Sequence, residues 1–307
     1  MTPGEILAIL HSGSSGSAEG ITPIKHAVIW DMRMPRALMA LAVGGALAIS
    51  GGALQGIFRN PLVDAGLLGV SAGAGFGACL AILLFNNIVW TYVLAFAFGI
   101  LAVVLSYMTG KIYKTSPTVT LVLGGVIISA IFSALISFTK YAADPYEQLP
   151  AITFWLMGSL SRANYRDLAL AMIPITIGMI GIMLLRWRIN LLSIGEREAK
   201  TLGVNTDLCR NIIIACTALA TAGSVCMSGI IGWIGLVIPH IGRMIVGNDN
   251  RLLLPVCVAM GSTFLLIVDN IGRSITEGEI PLGVLTALIG GPFYIYILQR
   301  TKGGGSW

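Results

Sequence analysis

Charge is what this 307-residue chain has least of: Asp, Glu, Lys and Arg together make up 11% of it. A water-soluble domain usually carries charge on about a quarter of its residues, so too few are present here to wet a globular surface. Disorder is excluded by the same scarcity, because disordered chains combine low hydrophobicity with high net charge, whereas 56% of these residues are apolar. Other absences narrow function. There is no G-x-x-x-x-G-K-[ST] element, so the chain cannot cradle nucleotide phosphates. No acidic or histidine relay lies at mid-depth in the apolar runs, where an ion-driven carrier or pump would normally place one. No paired carboxylates, metal-ligand cluster or nucleophile with its base share a common depth, which sets an intramembrane enzyme aside. No basic run interleaved with aromatics is present, so nucleic acid is not a partner. The segment from Thr2 to Asp31 also lacks the basic start, apolar centre and small-residue cleavage site of a signal peptide.

What is present is a succession of long apolar runs. Counting stretches of about 18 residues or more gives nine, at roughly 34–57, 66–86, 88–109, 118–139, 168–186, 211–229, 231–247, 252–271 and 281–299. In hydrocarbon each segment must satisfy its own backbone hydrogen bonds, and helices do so. The expected class is therefore all-α, a polytopic helical membrane protein. No hydrophilic stretch is long enough to be a second domain, so residues 1–307 read as a single transmembrane domain. An odd number of spans puts the termini on opposite sides. With the amino terminus outside, the inner loops and membrane edges hold twelve of the 19 Lys and Arg residues, the direction that the positive-inside rule favours. The five cysteines, Cys79, Cys209, Cys216, Cys226 and Cys257, lie in or beside apolar runs without C-x-x-C spacing, and read as small buried packers.

The glycines are ordered. Gly44, Ala48, Gly52 and Gly56 recur every four residues, and Gly69, Gly73 and Gly77 repeat the spacing in the second run. Such stripes let a neighbouring helix approach to backbone contact. Gly229, Gly232 and Gly235 around Trp233, and Gly290, Gly291 and Pro292 in the last run, read as helix breaks, which at membrane depth line a cavity or are buried in protein. A transporter without an ion relay or a nucleotide site receives its energy from another subunit. The largest inner segment, 189–208, offers a receiver: a short helix from Glu196 to Leu202, with Glu196 and Lys200 placed for an i,i+4 pair and Gly203 as its stop. Leu191, Leu192, Ala199 and Leu202 would form its apolar face.

These residues resemble the FecCD-type permeases of ATP-binding-cassette importers. The stretches that carry the likeness are RMPRALMALAVGGALAISGGALQGIFRNPLVDAGLLGVSAGAGFG (33–77), FWLMGSL (154–160), GEREAKTLGV (195–204), GWIGLVIPHIGR (232–243) and EIPLGVLTALIGGPFYIYIL (279–298). Together they cover nearly the whole chain in family order. The resemblance implies a multi-pass permease of the bacterial or archaeal inner membrane for ferric siderophore, haem or cobalamin. It implies two copies of the chain around a pore, two cytoplasmic ATPases that hold the ATP and Mg, and an external substrate-binding protein. No cofactor or metal would belong to the permease itself. It further implies that Arg33, Arg36 and Arg273 dock the binding protein. Glu196, Arg197, Ala199, Lys200, Leu202 and Gly203 would form the ATPase coupling helix, and Thr115, Ser116, Pro117 and Thr118 the cytoplasmic gate. On residues alone those arginines would read as interfacial anchors, and the gate as a surface loop. The family pattern has ten spans, so a further apolar helix is expected ahead of Thr2, from a coding start upstream. An ion-coupled secondary carrier acting without an ATPase is the other class of function to weigh.

Overall fold

The computed structural model describes residues 1–13, 22–112, 117–276 and 278–301, and the regular structure among them is entirely helical. Helix α1 (Pro3–Ser12) opens on a capping box: Thr2 Oγ1 accepts the Glu5 N–H while the Glu5 carboxylate accepts the Thr2 N–H at 2.9 Å. Helix α2 (Pro23–Ala27) continues through a π-turn, Val28–Arg33, into α3 (Met34–Phe58). The wide turn has a local cause. Pro35 has no N–H to donate, and its ring crowds the carbonyl one turn back, so the ladder slips by one residue and Met34 N–H bonds Ile29 O.

The helices that follow are α4 (Val70–Phe85, after a 3-10 turn at Ala65–Leu68), α5 (Ile88–Ile112), α6 (Pro117–Ala142), α7 (Gln148–Met157) and α8 (Tyr165–Ile194). Then come α9 (Glu196–Thr201), α10 (Thr206–Ser228), α11 (Ile234–Val246), α12 (Asn250–Ile275) and α13 (Leu282–Thr301). All nine apolar runs become helices. Among the described residues, six helical stretches are long and apolar enough to cross a membrane: Pro23–Phe58, Ile88–Gly110, Thr120–Ala142, Tyr165–Ile194, Thr206–Ser228 and Asn250–Ile275. The other three, Val70–Phe85, Ile234–Val246 and Leu282–Tyr296, are shorter. Two of these are shortened by irregular backbone ahead of them, at 59–69 and 229–233. The anticipated break at Gly290–Gly291–Pro292 is absent, because α13 runs through it; the glycines serve a different purpose, described below.

Burial separates an axis from a shell. The most apolar window of Pro23–Phe58 is 78% buried and that of α10 is 72% buried, against 28% for each of α5, α6 and α8. Helices α3 and α10 therefore form the centre, with the others around them. The small-residue stripe explains how neighbours reach α3. A Cβ added at Gly44 would overlap the Gly261 carbonyl, and one at Gly261 would overlap Ala48 Cβ. At Gly52 it would stand 3.1 Å from Leu254, and at Gly56 2.6 Å from Ile189 of α8. Helices α3 and α12 thus pack backbone to backbone along most of their length. Gly73 and Gly77 bring α4 equally close to the Phe98 and Leu94 carbonyls of α5. Gly69 departs from the expected stripe: it lies outside α4 as its N-cap, at φ +85°, a left-handed conformation open to glycine at little cost. Cys79, Cys209, Cys226 and Cys257 are buried, Cys216 is half-buried, and all five are free thiols.

Filling one of these contacts should loosen the bundle. Gly73→Leu is expected to destabilise the protein by about 1–3 kcal/mol, the usual range for overpacking a tight contact, read as a fall in the unfolding temperature of the detergent-purified protein. Gly4→Ala, which meets nothing within 4 Å, should leave that temperature in place.

Candidate functional site

Three polar clusters stand out against this apolar background, one at each end of the bundle and one between them. At the end assigned to the outside, Arg36 lies within the bundle. Its Nε bonds both Asp269 oxygens at 3.0 Å, its Nη2 bonds Asp269 Oδ1 at 2.9 Å, and its Nη1 reaches both Glu279 oxygens at 2.9 and 3.1 Å. The Asp269 side chain is 1% exposed and that of Arg36 11%. A charge so deep needs a partner, and a forked guanidinium against two carboxylates supplies several charge-assisted bonds at once. Arg33 is exposed and Arg273 half-buried, with an Arg273 hydrogen bond to Asn270 Oδ1. Of the three arginines expected to dock a binding protein, Arg33 and Arg273 reach the surface, whereas Arg36 is buried against Asp269.

Glu279 also lines an outward-opening cavity of about 590 Å³, with Tyr92, Trp155, Ser159 and Arg162. Its backbone is left-handed, at φ +42°, and is held on both sides by Ile280 N–H to Gly272 O and Leu282 N–H to Gly158 O, each at 2.9 Å.

Between the ends, the chain unwinds from Gly229 (φ +68°) to Trp233 (φ +71°) before α11 begins. The Trp233 ring lies on α13 where Gly290 and Gly291 leave room; a Cβ at Gly290 would come within 2.6 Å of Trp233 Cβ. Tyr294 packs edge-on to Trp233 at 6.3 Å. Beside the break, the buried Gln55 of α3 donates Nε2–H to the Gly235 carbonyl at 3.1 Å and accepts from Arg243 Nη1 at 2.5 Å. The 59–69 segment folds back against the same place: Asp64 Cβ faces Gly235, and its carboxylate caps the 3-10 turn through Leu67 N–H at 3.2 Å. Gln55 and Asp64 were not singled out in the sequence, although a glutamine inside an otherwise apolar span is a signal that could have found the first.

At the inner end, α9 stands out from the bundle on the Gly195 bend. Ala199 is fully buried and seats it, while Arg197, Lys200 and Gly203 are exposed. Gly203, at φ +80°, closes it with N–H to Lys200 O at 3.0 Å and lets Val204 N–H reach Ala199 O at 3.1 Å. Two details differ from expectation. Glu196 pairs with Arg210 of α10 and not with Lys200, because the 6%-exposed Arg210 needs carboxylates and takes Glu196 together with Asp207. Leu202 lies outside the helix and is 62% exposed, so it is no part of the buried face. A cavity of about 300 Å³, lined by Ile57, Arg59, Leu192, Glu196, Arg197 and Arg210, opens beside the rod. Of the four gate residues, Thr115 and Ser116 lie outside the described residues, and Pro117 and Thr118 open α6.

The FecCD transport family matches residues 1–300. The chain is 42% identical over 294 residues to the molybdate import system permease protein MolB of Haemophilus influenzae, covering 95% of this chain and 87% of that one. It is 42% identical over 276 residues to an iron chelatin transport system permease protein of Helicobacter pylori, covering 90% and 83%. It is 36% identical to the cobalamin import system permease protein BtuC of Halobacterium salinarum, covering 91% and 75%. Among solved structures, a metal-chelate type ABC transporter in an inward-facing conformation superposes with a TM-score of 0.86 at 38% identity, over 97% of this chain and all of that one.

The buried ion pair at the outer end makes a direct prediction. Arg36→Gln leaves the Asp269 carboxylate buried without its cation and should lower stability by about 3–5 kcal/mol. Glu279→Gln, at a side chain 40% exposed, should lower it by much less. Thermal unfolding of the two purified variants compares them.

Proposed function

Because this chain belongs to the FecCD transport family, we propose that two copies of it form the conduit through which a metal chelate enters the cell. It is the multi-pass inner-membrane permease subunit of an ATP-binding-cassette importer, a transport component and not an enzyme, and it works with ATPase and substrate-binding partners. The cargo is of the ferric siderophore, haem or cobalamin type. That assignment rests on relatives named for iron chelatin and cobalamin. The relative named for molybdate favours a second reading, in which the solute is a compact metal oxyanion. Uptake of each radiolabelled candidate into proteoliposomes, with the cognate binding protein present, separates the two.

The single membrane domain crosses nine times in this proposal. Helices α4 and α11, with 16 and 13 residues, are about 24 and 20 Å long at 1.5 Å per residue, short of a hydrocarbon core of roughly 30 Å. The irregular segments at 59–69 and 229–233 make up the difference, with Val63, Ala65, Leu68, Gly229 and Ile231 buried in protein. The binding protein docks on Arg33 and Arg273, with Arg36 holding the helix that carries Arg33. Residues 115–118 close the inner end of the conduit. ATP and Mg act on the partner ATPases, and their closure moves the rod from Glu196 to Gly203. Alternating access follows as one end of the pore opens and the other shuts.

The observation that carries the ATP-driven reading is the rod itself: rigidly seated through Ala199 and Arg210 yet presenting the bare side chain of Leu202 to the cytosol. An ion-coupled carrier has no use for such a handle. Leu202→Asp should abolish ATP-dependent uptake in proteoliposomes while the unfolding temperature of the permease stays within a degree or two of wild type, since the residue supports no packing. Uptake that persists in this variant would sink the coupling role. Charge reversal at Arg33 together with Arg273 should weaken capture of the loaded binding protein, and the deficit should shrink with rising salt as rim charges are screened; equilibrium binding at two ionic strengths measures it.

A further inference from the structure

Where α8 ends and α12 begins, the structure holds a compact polar knot that none of the roles above uses. Asn190, on the last full turn of α8 before the α9 rod, uses three of its amide's four hydrogen-bonding positions. Its Nδ2 donates to Asp249 Oδ1 at 2.6 Å, and its Oδ1 accepts from Asn250 N–H at 2.7 Å and Asn250 Nδ2 at 2.8 Å. Asp249 is at the same time the N-cap of α12, accepting Arg251 N–H at 2.9 Å, and it takes Arg251 Nη2 on its other oxygen at 2.9 Å. Arg251 in turn lies 5.0 Å over the ring of Trp187, one turn before Asn190 on α8. Bonds from Arg251 and Asn190 hold the Asp249 carboxyl well below the usual carboxylate range, so it stays ionised throughout. Asn250 is 3% exposed and abuts Gly56 of α3, whose missing side chain admits both Asn250 and Ile189.

The knot therefore sits at the junction of three helices with distinct duties. Helix α8 leads through Gly195 into the rod. Helices α3 and α12 are locked together by the Gly44–Gly261 approach, by Ser262 Oγ–H to Leu41 O at 2.6 Å, and by Arg36 on Asp269. The far end of this locked pair carries Arg33 and Arg273. Besides apolar packing such as Ile189 against Gly56, this two-helix body has a directional, charged attachment to the rod-bearing helix at Asn190. Apolar packing between α8 and its neighbours can slide by small shifts, whereas three hydrogen bonds on one amide cannot slide without breaking.

We propose that Asn190, with Asp249 and Asn250, is the positioning latch through which displacement of the α9 rod drives the α3–α12 pair, linking the ATPase face to the binding-protein face across the membrane. This rests on the coupling role of the rod proposed above. Asn190 touches no cargo and no nucleotide; it acts through the helices that it ties.

The test uses the full complex of permease, ATPase and binding protein in proteoliposomes. Asn190→Asp keeps the side-chain volume but sets a second carboxylate against Asp249, and Asn190→Ala removes the amide. Basal ATP hydrolysis and co-purification of the ATPase should be unchanged in both. Stimulation of hydrolysis by the loaded binding protein, and uptake with it, should fall at least about five-fold, the low end of typical coupling between sites. A Cys pair replacing Asn190 and Asp249 supplies the complementary result: with the disulfide formed, stimulation should be retained, because the latch transmits while closed. Stimulation and uptake within two-fold of wild type in the Asn190 variants would overturn the proposal, as would equal loss of basal and stimulated hydrolysis, which marks a merely structural role. Leu202→Asp, run in parallel, separates the two ideas: uptake preserved there removes the rod's role, whereas uptake lost there but kept in the Asn190 variants removes only the latch.

Discussion

A guanidinium and a carboxylate buried side by side in an apolar bundle hold each other, because either one alone would carry a large desolvation penalty. In this protein the Arg36–Asp269 pair has that property, and it determines where α3 and α12 meet. Once their outer ends are pinned, the spacing of Gly44, Ala48, Gly52 and Gly56 on one helix and Gly261 on the other brings the two backbones together below. Dispersion and close packing then do what the hydrophobic effect cannot do between helices already surrounded by lipid. Charge sets the register and small residues set the distance.

Around that pair, much of the irregular backbone packs against protein, at Val63, Leu68, Gly229 and Ile231. The 59–69 segment and the Gly229–Trp233 stretch both approach Gly235, and Gln55 satisfies the carbonyl exposed there while holding Arg243. Trp233 lies in the gap left by Gly290 and Gly291. The irregular backbone ahead of α4 and α11 and the small-residue gap in α13 therefore converge around Gly235 and Trp233. In the proposed importer the rod at the inner end and the exposed Arg33 at the outer end would meet the partners, and the α3–α12 body lies between them.

Much of this was legible beforehand. The shortage of charge and the apolar runs required helices; the four-residue spacing of small side chains predicted backbone contact; and Glu196 and Gly203 delimited a short helix. The errors share a physical origin. Glu196 was paired with Lys200 on helix geometry alone, but buried Arg210, distant in local structure, claims it more strongly. Leu202 was placed inward by its apolarity, but the helix ends at Thr201 and leaves Leu202 beyond it, 62% exposed. Gly290 and Gly291 looked like breaks because glycine weakens helices, yet here they make space for Trp233. Gly69 fitted a stripe by spacing, although a left-handed turn takes it out of the helix.

Composition and periodicity alone determined the fold class, the apolar helices and the membrane as solvent, because these depend on summed transfer energies that local sequence carries. Tertiary structure alone decided which cation meets which carboxylate: that Arg36 turns inward to Asp269 and Glu279 while Arg33 stays out, and that Asn190 ties α8 to the start of α12. Such pairings join residues far apart in the chain, and their strength depends on burial and angle, which exist only after the helices have packed.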